Sequence, residues 1–178
     1  MSMKFFISDT HFGHANAIKF DNRPFNSAEE MDECMIKLWN ETVKPSDEVY
    51  HLGDVAFHTA ERAEKIIKRL NGHKHLIFGN HDKVVRNSRT IRDLFVSTRE
   101  YHEVREKELR LCLFHYPIGE WNQAHRGAFH LHGHCHGNYE YPRPGKIMDV
   151  GACCIGYKPI SLDEVVELLK NKPKLEHH

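Results

Sequence analysis

Short apolar runs alternate along the chain with longer segments in which apolar residues recur every three or four positions. Strands separated by helical segments predict an α/β fold, in which helices cover a sheet. Residues 101–114 additionally read as a hairpin. The predicted strands have strand length and a high content of β-favouring residues, and they lie at residues 5–7, 49–52, 75–78, 111–114, 129–132 and 147–150.

Helix starts are marked by capping residues. Ser27 and Glu30 are spaced as a capping box, because each side chain can accept from the other residue's free backbone N–H. An apolar stripe at helical spacing follows them. The same box recurs at Ser161 and Glu164, and Thr59 is predicted to begin a further helix.

Composition bounds the class of protein. The chain has 178 residues, of which 40% are hydrophobic and 28% charged, so it reads as one globular domain over residues 1–174 rather than a disordered or fibrous protein. No apolar run approaches the ~20 residues that span a bilayer. Residues 175–178, Leu-Glu-His-His, are interpreted as the remnant of a cloning tag.

The net charge limits the binding partners that the sequence predicts, and the cysteine content limits the cellular compartment. The formal net charge of zero argues against a broad basic face for nucleic acid, but it leaves a local basic patch open. The five cysteines are odd in number, include an adjacent pair and contain no CxxC, so a disulfide framework and a thiolate zinc site are both disfavoured. The early carboxylate Asp9 disfavours a signal peptide, and a cytoplasmic location is predicted.

Side chains of metal-ligand type follow five of the predicted strands. The carboxyl ends of strands in α/β sheets share one edge, so these segments are expected to meet there. Residues two apart in an extended segment share a face, which pairs Asp9 with His11 and His134 with His136. Glycines beside these residues are expected where the backbone turns sharply. In chain order the segments are Ser8-Asp9-Thr10-His11, Gly53-Asp54, Gly79-Asn80-His81-Asp82, His115 and Gly133-His134-Cys135-His136.

This donor set favours a pair of transition-metal ions. Carboxylate, amide and imidazole groups suit Mn, Fe, Zn, Ni or Co better than Cu(I) or an iron–sulfur cluster. The number of donors exceeds what one tetrahedral ion needs. Two divalent ions are therefore predicted, with manganese favoured.

Five motifs in a fixed order resemble those of the calcineurin-like metallophosphoesterases, and the resemblance extends from about Lys4 to about Lys170. In chain order they are D-x-H, G-D, G-N-H-[DE], a single His and G-H-x-H. The resemblance is greatest to small bacterial or phage members without a cap domain. It implies a four-layer αββα sandwich of two mixed sheets flanked by helices. The strand pattern alone leaves a single doubly wound sheet open.

The resemblance also implies residue roles. Asp9, His11 and His136 would hold the first metal, and Asn80, His115 and His134 the second. Asp54 would bridge the two metals. His81 would act as a general acid or phosphate contact, oriented by Asp82.

The expected activity is hydrolysis of a phosphate ester by a metal-bridging hydroxide, because two cations ~3.5–4 Å apart lower the pKa of a shared water. A nucleotide is one candidate substrate. No segment is long enough for a cap domain, so an open site that favours phosphodiesters is predicted. A phosphomonoesterase and a non-catalytic scaffold that binds a partner protein are the alternatives. The complete motif set favours an enzyme over the scaffold.

Residues near the motifs have two interpretations each. Arg23 would contact a substrate phosphate through its guanidinium fork, or pair with a surface carboxylate. His14 would contact substrate or lie in a surface loop. Tyr116 and Trp121 would form a wall of the site, or, for Trp121 above all, pack in the core.

Overall fold

Residues 2–176 are described in this computed structural model. The strands are β1 Lys4–Ile7, β2 Glu48–His51, β3 His73–Ile77, β4 Ser97–Arg99, β5 Tyr101–Glu106, β6 Leu109–Phe114, β7 Phe129–His132, β8 Ile147–Asp149 and β9 Ile160–Ser161. The helices are α1 Ala15–Phe20, α2 Ala28–Thr42, α3 Ala60–Arg69, α4 Lys83–Asn87, α5 Arg89–Arg92 and α6 Leu162–Leu169. Short 3₁₀ turns lie at Ala124–Arg126 and Ala152–Cys154.

The strands form two sheets. The first has the order β4-β3-β2-β1-β9, in which β1 to β4 are parallel and β9 is antiparallel to β1. The second has the order β5-β6-β7-β8, in which only the β5–β6 hairpin is antiparallel. Two mixed sheets with helices around them confirm the predicted α/β sandwich and exclude the single doubly wound sheet.

Strand β1 shows why the first sheet is an inner layer. Successive side chains of a strand point to opposite faces. Phe5 and Ile7 pack with the helical residues Met35 and Ile67, whereas Phe6 packs with Leu113 of the second sheet. Both faces are therefore buried, which is why the strand reads as a continuous apolar run.

The outer layer of the second sheet is thin. Helices α2 and α3 cover the first sheet, but the far side of the second sheet is covered by the Ala124–Arg126 turn and its flanking loops. Trp121 is buried there, and its Nε1 donates to the Ala128 carbonyl at 2.9 Å. The core interpretation of Trp121 is therefore confirmed.

Helix starts follow the predicted caps. Ser161 and Glu164 form the full capping box of α6. Ser27 accepts from the Glu30 N–H at the start of α2, while the Glu30 carboxylate bonds to Asn26 instead. Thr59 precedes α3 without a side-chain capping bond.

The chain end is packed where it is described. Leu175 is buried beside Trp121, so this residue of the predicted tag contributes to a small apolar cluster. His177 and His178 lie outside the described residues, and the domain boundary at 174 remains a prediction. Within residues 2–176, no helix is long and apolar enough to cross a membrane.

Candidate metal centre

The predicted ligands meet where both sheets present strand ends. β1, β2 and β3 of the first sheet lead into Asp9, Asp54 and Asn80. His11 also follows β1, whereas β6 and β7 of the second sheet lead into His115, His134 and His136. The first sheet thus supplies all the oxygen donors, and the second supplies imidazoles only.

Three of these residues form a buried triad, namely Asp9, His11 and His136. Their candidate ligand atoms lie within 4.8 Å of one another. Asp9 Oδ1 is 3.6 Å from His11 Nε2 and 3.7 Å from His136 Nε2. The two imidazole rings stack, with centroids 5.2 Å apart.

Three others form an open triad, namely Asp54, His115 and His134, again with ligand atoms within 4.8 Å. His115 Nε2 is 3.6 Å from Asp54 Oδ2 and 3.0 Å from Asn80 Oδ1. Asp54 and His115 are buried, whereas His134 and Asn80 are exposed. The open triad with Asn80 therefore lies at the mouth of the site.

The buried triad has unsatisfied polar atoms. Within residues 2–176, Asp9 Oδ1 and His11 Nδ1 are the buried side-chain nitrogen and oxygen atoms that have no hydrogen-bond partner. A buried polar group without a partner costs free energy. Both atoms belong to residues of metal-ligand type, and Asp9 Oδ1 faces two imidazole nitrogens. This arrangement fits a cation.

The pKa values of Asp9 and His11 in the buried triad also bear on cation binding. Burial raises the pKa of Asp9 to about 8. Burial, followed by the charge on Arg23, lowers the pKa of His11 to about 2. Low-dielectric surroundings favour neutral forms, whereas a bound cation favours the carboxylate and the unprotonated imidazole.

His136 differs because its second ring nitrogen has a carboxylate partner. Its Nδ1 lies 3.0 Å from Asp21 Oδ2. Burial lowers the pKa of His136, but hydrogen bonds to Asp21 and Cys153 and the charge on Asp9 outweigh it and raise the pKa to about 10. With Nδ1 donating to Asp21, Nε2 is left to face Asp9, which is the usual arrangement of a metal-binding histidine.

His115 in the open triad is oriented by the backbone. Its Nδ1 is 2.7 Å from the Leu52 carbonyl, which only accepts, so Nδ1 carries the proton. Burial lowers the pKa of His115, and the ring is neutral at pH 7. The unprotonated Nε2 then faces Asn80 Oδ1, so two acceptors face each other. A cation bound by both would resolve this contact.

Backbone strain is concentrated on the ligands. Non-glycine residues seldom adopt positive φ, because Cβ crowds the following carbonyl at a cost of roughly 1–2 kcal/mol. Such strain persists only where the surrounding structure enforces it. The ligands in this region are Asp9 (φ 54°), His11 (50°), Asp54 (58°), His134 (67°) and His136 (50°).

Two predicted turn glycines have a different role. Gly79 and Gly133 do not have positive φ. A Cβ on Gly133 would lie 2.3 Å from Asp9 Oδ2, and one on Gly79 would lie 2.2 Å from Asp54 Oδ1. These glycines therefore make room for the carboxylates rather than for a sharp turn.

Asp82 supports the loops after β2 and β3. Its buried carboxylate accepts three backbone N–H groups, from Asp54 and Gly79 at 2.9 and 2.7 Å on Oδ2 and from Val55 at 2.9 Å on Oδ1. A carboxylate that accepts these bonds joins the two loops. The predicted role of Asp82 in orienting His81 stays a prediction.

Arg23 is likewise a buried support and not a substrate contact. Its Nη1 donates to the Thr10 carbonyl at 3.0 Å and to Met31 sulfur at 3.6 Å, and its Nη2 donates to the Asp9 carbonyl at 3.0 Å. Nε and Nη2 also reach Asp21 Oδ2, at 3.0 and 2.9 Å. Four N–H donors thus make hydrogen bonds within the protein, and the guanidinium is fully buried against the Asp21 carboxylate. The predicted contact with a substrate phosphate is wrong.

His81 and His14 both line the cleft beside the buried triad. This cleft has a volume of about 330 Å³. His81 is exposed, its ring lies 6.2 Å from that of His11, and its backbone N–H donates to Asp54 Oδ1 at 2.8 Å. His14 Nδ1 accepts the Ala17 N–H at 2.7 Å, which caps α1.

The sequence did not single out several residues that the fold brings here. Asp21 and Cys153 reach His136 from separate segments, with Cys153 Sγ 3.8 Å from Nδ1. Phe57 lines the cleft. Tyr116, by contrast, was predicted to form a wall of the site, and its hydroxyl donates to Asn80 Oδ1 at 3.3 Å. Asp21 and Cys153 belong to no spaced motif, so the sequence carries no signal for them.

Comparison with known proteins finds a relative that matches nearly the whole chain. The uncharacterized protein MJ1445 of Methanocaldococcus jannaschii is 39% identical over 179 residues, which cover 96% of this chain and 94% of that protein. Identity at this level over nearly the full length shows that both chains belong to one family. No protein-family model matches the chain.

A solved structure shares the fold of this chain. The protein of unknown function AQ665 from Aquifex aeolicus matches with a TM-score of 0.74 and 26% identity, over 94% of this chain and all of that one. The resemblance to the calcineurin-like metallophosphoesterases rests on the five ordered motifs, which the fold gathers at one edge of two mixed sheets.

A phosphoesterase from E. coli, Yfce, has a weaker likeness to this chain. Its TM-score is 0.47 and its identity 20%, over 83% of this chain and 77% of that one.

Proposed function

We propose that this chain is a phosphoester hydrolase that uses two divalent transition-metal ions, with manganese favoured, and prefers phosphodiesters. The observation that carries the proposal is the pair of triads at one edge of the two sheets, together with the partnerless Asp9 Oδ1 and His11 Nδ1. The complete donor sets support an enzyme over a non-catalytic scaffold. The five free cysteines support a reducing, cytoplasmic location.

The buried triad would hold one ion, and the open triad with Asn80 would hold the other. When bound, the two cations supply Lewis-acid activation of water and of the phosphate oxygens. Asp54 would serve as the bridging carboxylate, and Asp82 would hold its loop through three backbone hydrogen bonds.

His81 would donate a proton to the leaving alkoxide. Its imidazole is exposed to the cleft, while its own backbone N–H is tied to Asp54 Oδ1 at 2.8 Å. The side chain is thereby held beside the metal ligands without being one of them. A neutral imidazole also donates to phosphate oxygens, so substrate contact and proton transfer both fit this position.

The charge of the cleft supports a diester preference. Its described lining residues include no lysine or arginine, and the guanidinium of the nearby Arg23 is fully buried. A monoester carries a second negative charge that would need another cation, whereas a diester does not.

A matched ester series tests the proposal. Metal-depleted protein receives Mn²⁺, and hydrolysis of bis-nitrophenyl phosphate and nitrophenyl phosphate is followed at one pH. We expect metal-dependent turnover of both esters, with higher kcat/KM for the diester. A monoester preference of about tenfold or more would overturn the diester preference, and no turnover with any of the candidate metals would overturn the hydrolase.

His81→Asn separates proton donation from metal binding. We expect metal content and melting temperature to stay near wild type, while kcat falls by roughly 10²–10⁴ for esters with poor leaving groups. The loss should shrink for nitrophenolate, which needs less protonation. An equal loss for good and poor leaving groups would assign His81 to phosphate binding instead.

A further inference from the structure

Two aromatic side chains are exposed beside the buried triad. Phe20 is 76% exposed and Phe57 is 37% exposed, and both line the cleft of about 330 Å³ that also contains His11, His81 and His136. A single exposed apolar residue is ordinary, but two at one polar cleft are informative.

Both rings are attached to the loops that carry predicted metal ligands. Phe57 follows Asp54 by three residues, and its backbone N–H donates to the Phe12 carbonyl at 2.8 Å. Phe12 and Ala56 are joined in a parallel bridge, which fixes the backbone on either side. Phe57 is therefore held in place before any ligand arrives.

Phe20 lies at the end of the short helix that follows His11. The helix is capped by His14, whose Nδ1 accepts the Ala17 N–H. The His14 ring lies 4.0 Å from the Phe57 ring, in an edge-on arrangement, and 6.4 Å from the Phe20 ring. The three rings form one continuous wall.

The wall reaches the reacting region. The Phe57 ring lies 5.2 Å from that of the predicted ligand His11 and 4.9 Å from that of the predicted proton donor His81. An ester phosphate at the metals would place one of its substituents against this wall.

The chemistry of the wall selects the substituent. The described lining residues offer flat apolar faces and include no lysine or arginine. The one carboxylate present, that of Asp21, is occupied by Arg23 and His136. Aromatic faces bind planar rings by stacking, with little dependence on the identity of the ring.

We propose that the wall formed by Phe20, Phe57 and His14 is a subsite for a planar ring, a nucleobase or aryl group, on the ester group that stays with the phosphate. This subsite rests on the proposed phosphoesterase function and narrows its substrate class. The ligands at the sheet edge would bind the metals, and the wall would select the group that the ester carries.

The test compares esters that share one leaving group. Methyl, phenyl and thymidine 5′ esters of nitrophenyl phosphate differ only in the retained group. We expect kcat/KM for the phenyl or thymidine ester to exceed that of the methyl ester by about tenfold, within the range of one stacked ring. A preference in either ring-bearing ester supports the subsite, and the larger of the two identifies nucleobase or aryl as the natural group.

Phe20 is the sharper probe, because Phe57 packs on both His11 and His81. Phe20→Ala should reduce the ring preference to about twofold or less, and Phe20→Tyr should retain it. Leu168→Ala is the matched control, since Leu168 is 57% exposed on α6 and outside the residues that line the cleft. A preference that survives Phe20→Ala unchanged would overturn the subsite.

Binding gives a readout that does not depend on turnover. Phenylphosphonate and methylphosphonate have no ester bond and differ only in the ring. We expect the metal-loaded protein to bind phenylphosphonate about tenfold more tightly, and Phe20→Ala to remove that difference. Equal binding of the two would overturn the subsite even if esters are hydrolysed, whereas a ring preference in binding without hydrolysis would contradict only the proposed function.

Discussion

The two halves of the metal centre are built differently. In the buried triad, Asp9 Oδ1 and His11 Nδ1 have no partner, and burial shifts the pKa values of both groups towards the neutral forms. In the open triad, the Leu52 carbonyl already holds the His115 ring, and His134 reaches solvent.

This difference sets an order of metal binding. Without an ion, the buried triad contains polar atoms that water does not reach. Burying them without a partner raises the free energy of the folded state, and a bound cation would lower it. The open triad keeps part of its hydration in the absence of metal. We expect the buried triad to fill first and release its ion last, while the ion at the open triad exchanges with solvent.

The largest effect is expected at Asp54, which would join the two halves. Asp54→Ala should lower kcat/KM by at least about 10³-fold, because the site loses the proposed bridging carboxylate. Metal content, measured by elemental analysis, should fall from two ions towards none. Retention of one tight ion would assign Asp54 to the open triad alone, and retention of two would exclude bridging. Asp93→Ala, at an exposed position just after α5, serves as the control.

The support of the buried triad is tested at Arg23. Arg23→Met should lower the free energy of unfolding by about 3 kcal/mol, because it leaves the Asp21 carboxylate without its buried cation. Chemical denaturation measures this change, with exposed Arg89→Met as the control. The ratio of diester to monoester turnover should stay unchanged, since the guanidinium is fully buried. A selective change in that ratio would restore Arg23 as a substrate contact.

Stepwise metal addition tests the order of filling. An ion present at about 100 times its Kd adds about 2.7 kcal/mol, which is roughly 5–10 °C in melting temperature for a chain of this size. We expect the first equivalent added to chelator-treated protein to give most of the rise. Asn80→Ala should leave this first step intact and weaken the second. Loss of the first step in Asn80→Ala would reverse the order.

The smallest effect is a pH dependence of the first binding step. Asp9 has a pKa of about 8 in the metal-free protein, so the cation must displace its proton at neutral pH. The affinity for the metal ion should therefore rise about tenfold per pH unit for each proton released. The part of this rise that is due to Asp9 should level off near pH 8. Calorimetry in buffers of different ionisation enthalpy counts the protons. A constant affinity from pH 6 to 8 would contradict the protonated state of Asp9.

The ligand positions could be predicted because each follows directly from local sequence. An apolar strand followed by a carboxylate, amide or imidazole places that group at the sheet edge whatever the rest of the chain does. The capping box of α6 is local in the same way, since its two partners are three residues apart. The short elements β4, β9, α1, α4 and α5 were not predicted, because two to six residues carry too little periodicity.

The buried contacts of Arg23 and Asp82 could not be predicted, for the opposite reason. Asp82 accepts from the Val55 backbone, 27 positions away, and Arg23 reaches the Asp9 carbonyl, 14 positions away. Whether a guanidinium or a carboxylate faces solvent depends on which segments surround it. No motif encodes that, because burial is a property of the whole fold.

The sequence alone determined the α/β class and which side chains meet at the strand ends, because the apolar pattern of strands and the residues that follow them are local properties. The tertiary structure decided how the donors divide into a buried and an open triad, which charged residues support them and which aromatic rings line the cleft. Those features depend on contacts between distant segments, and only packing sets which groups lose water.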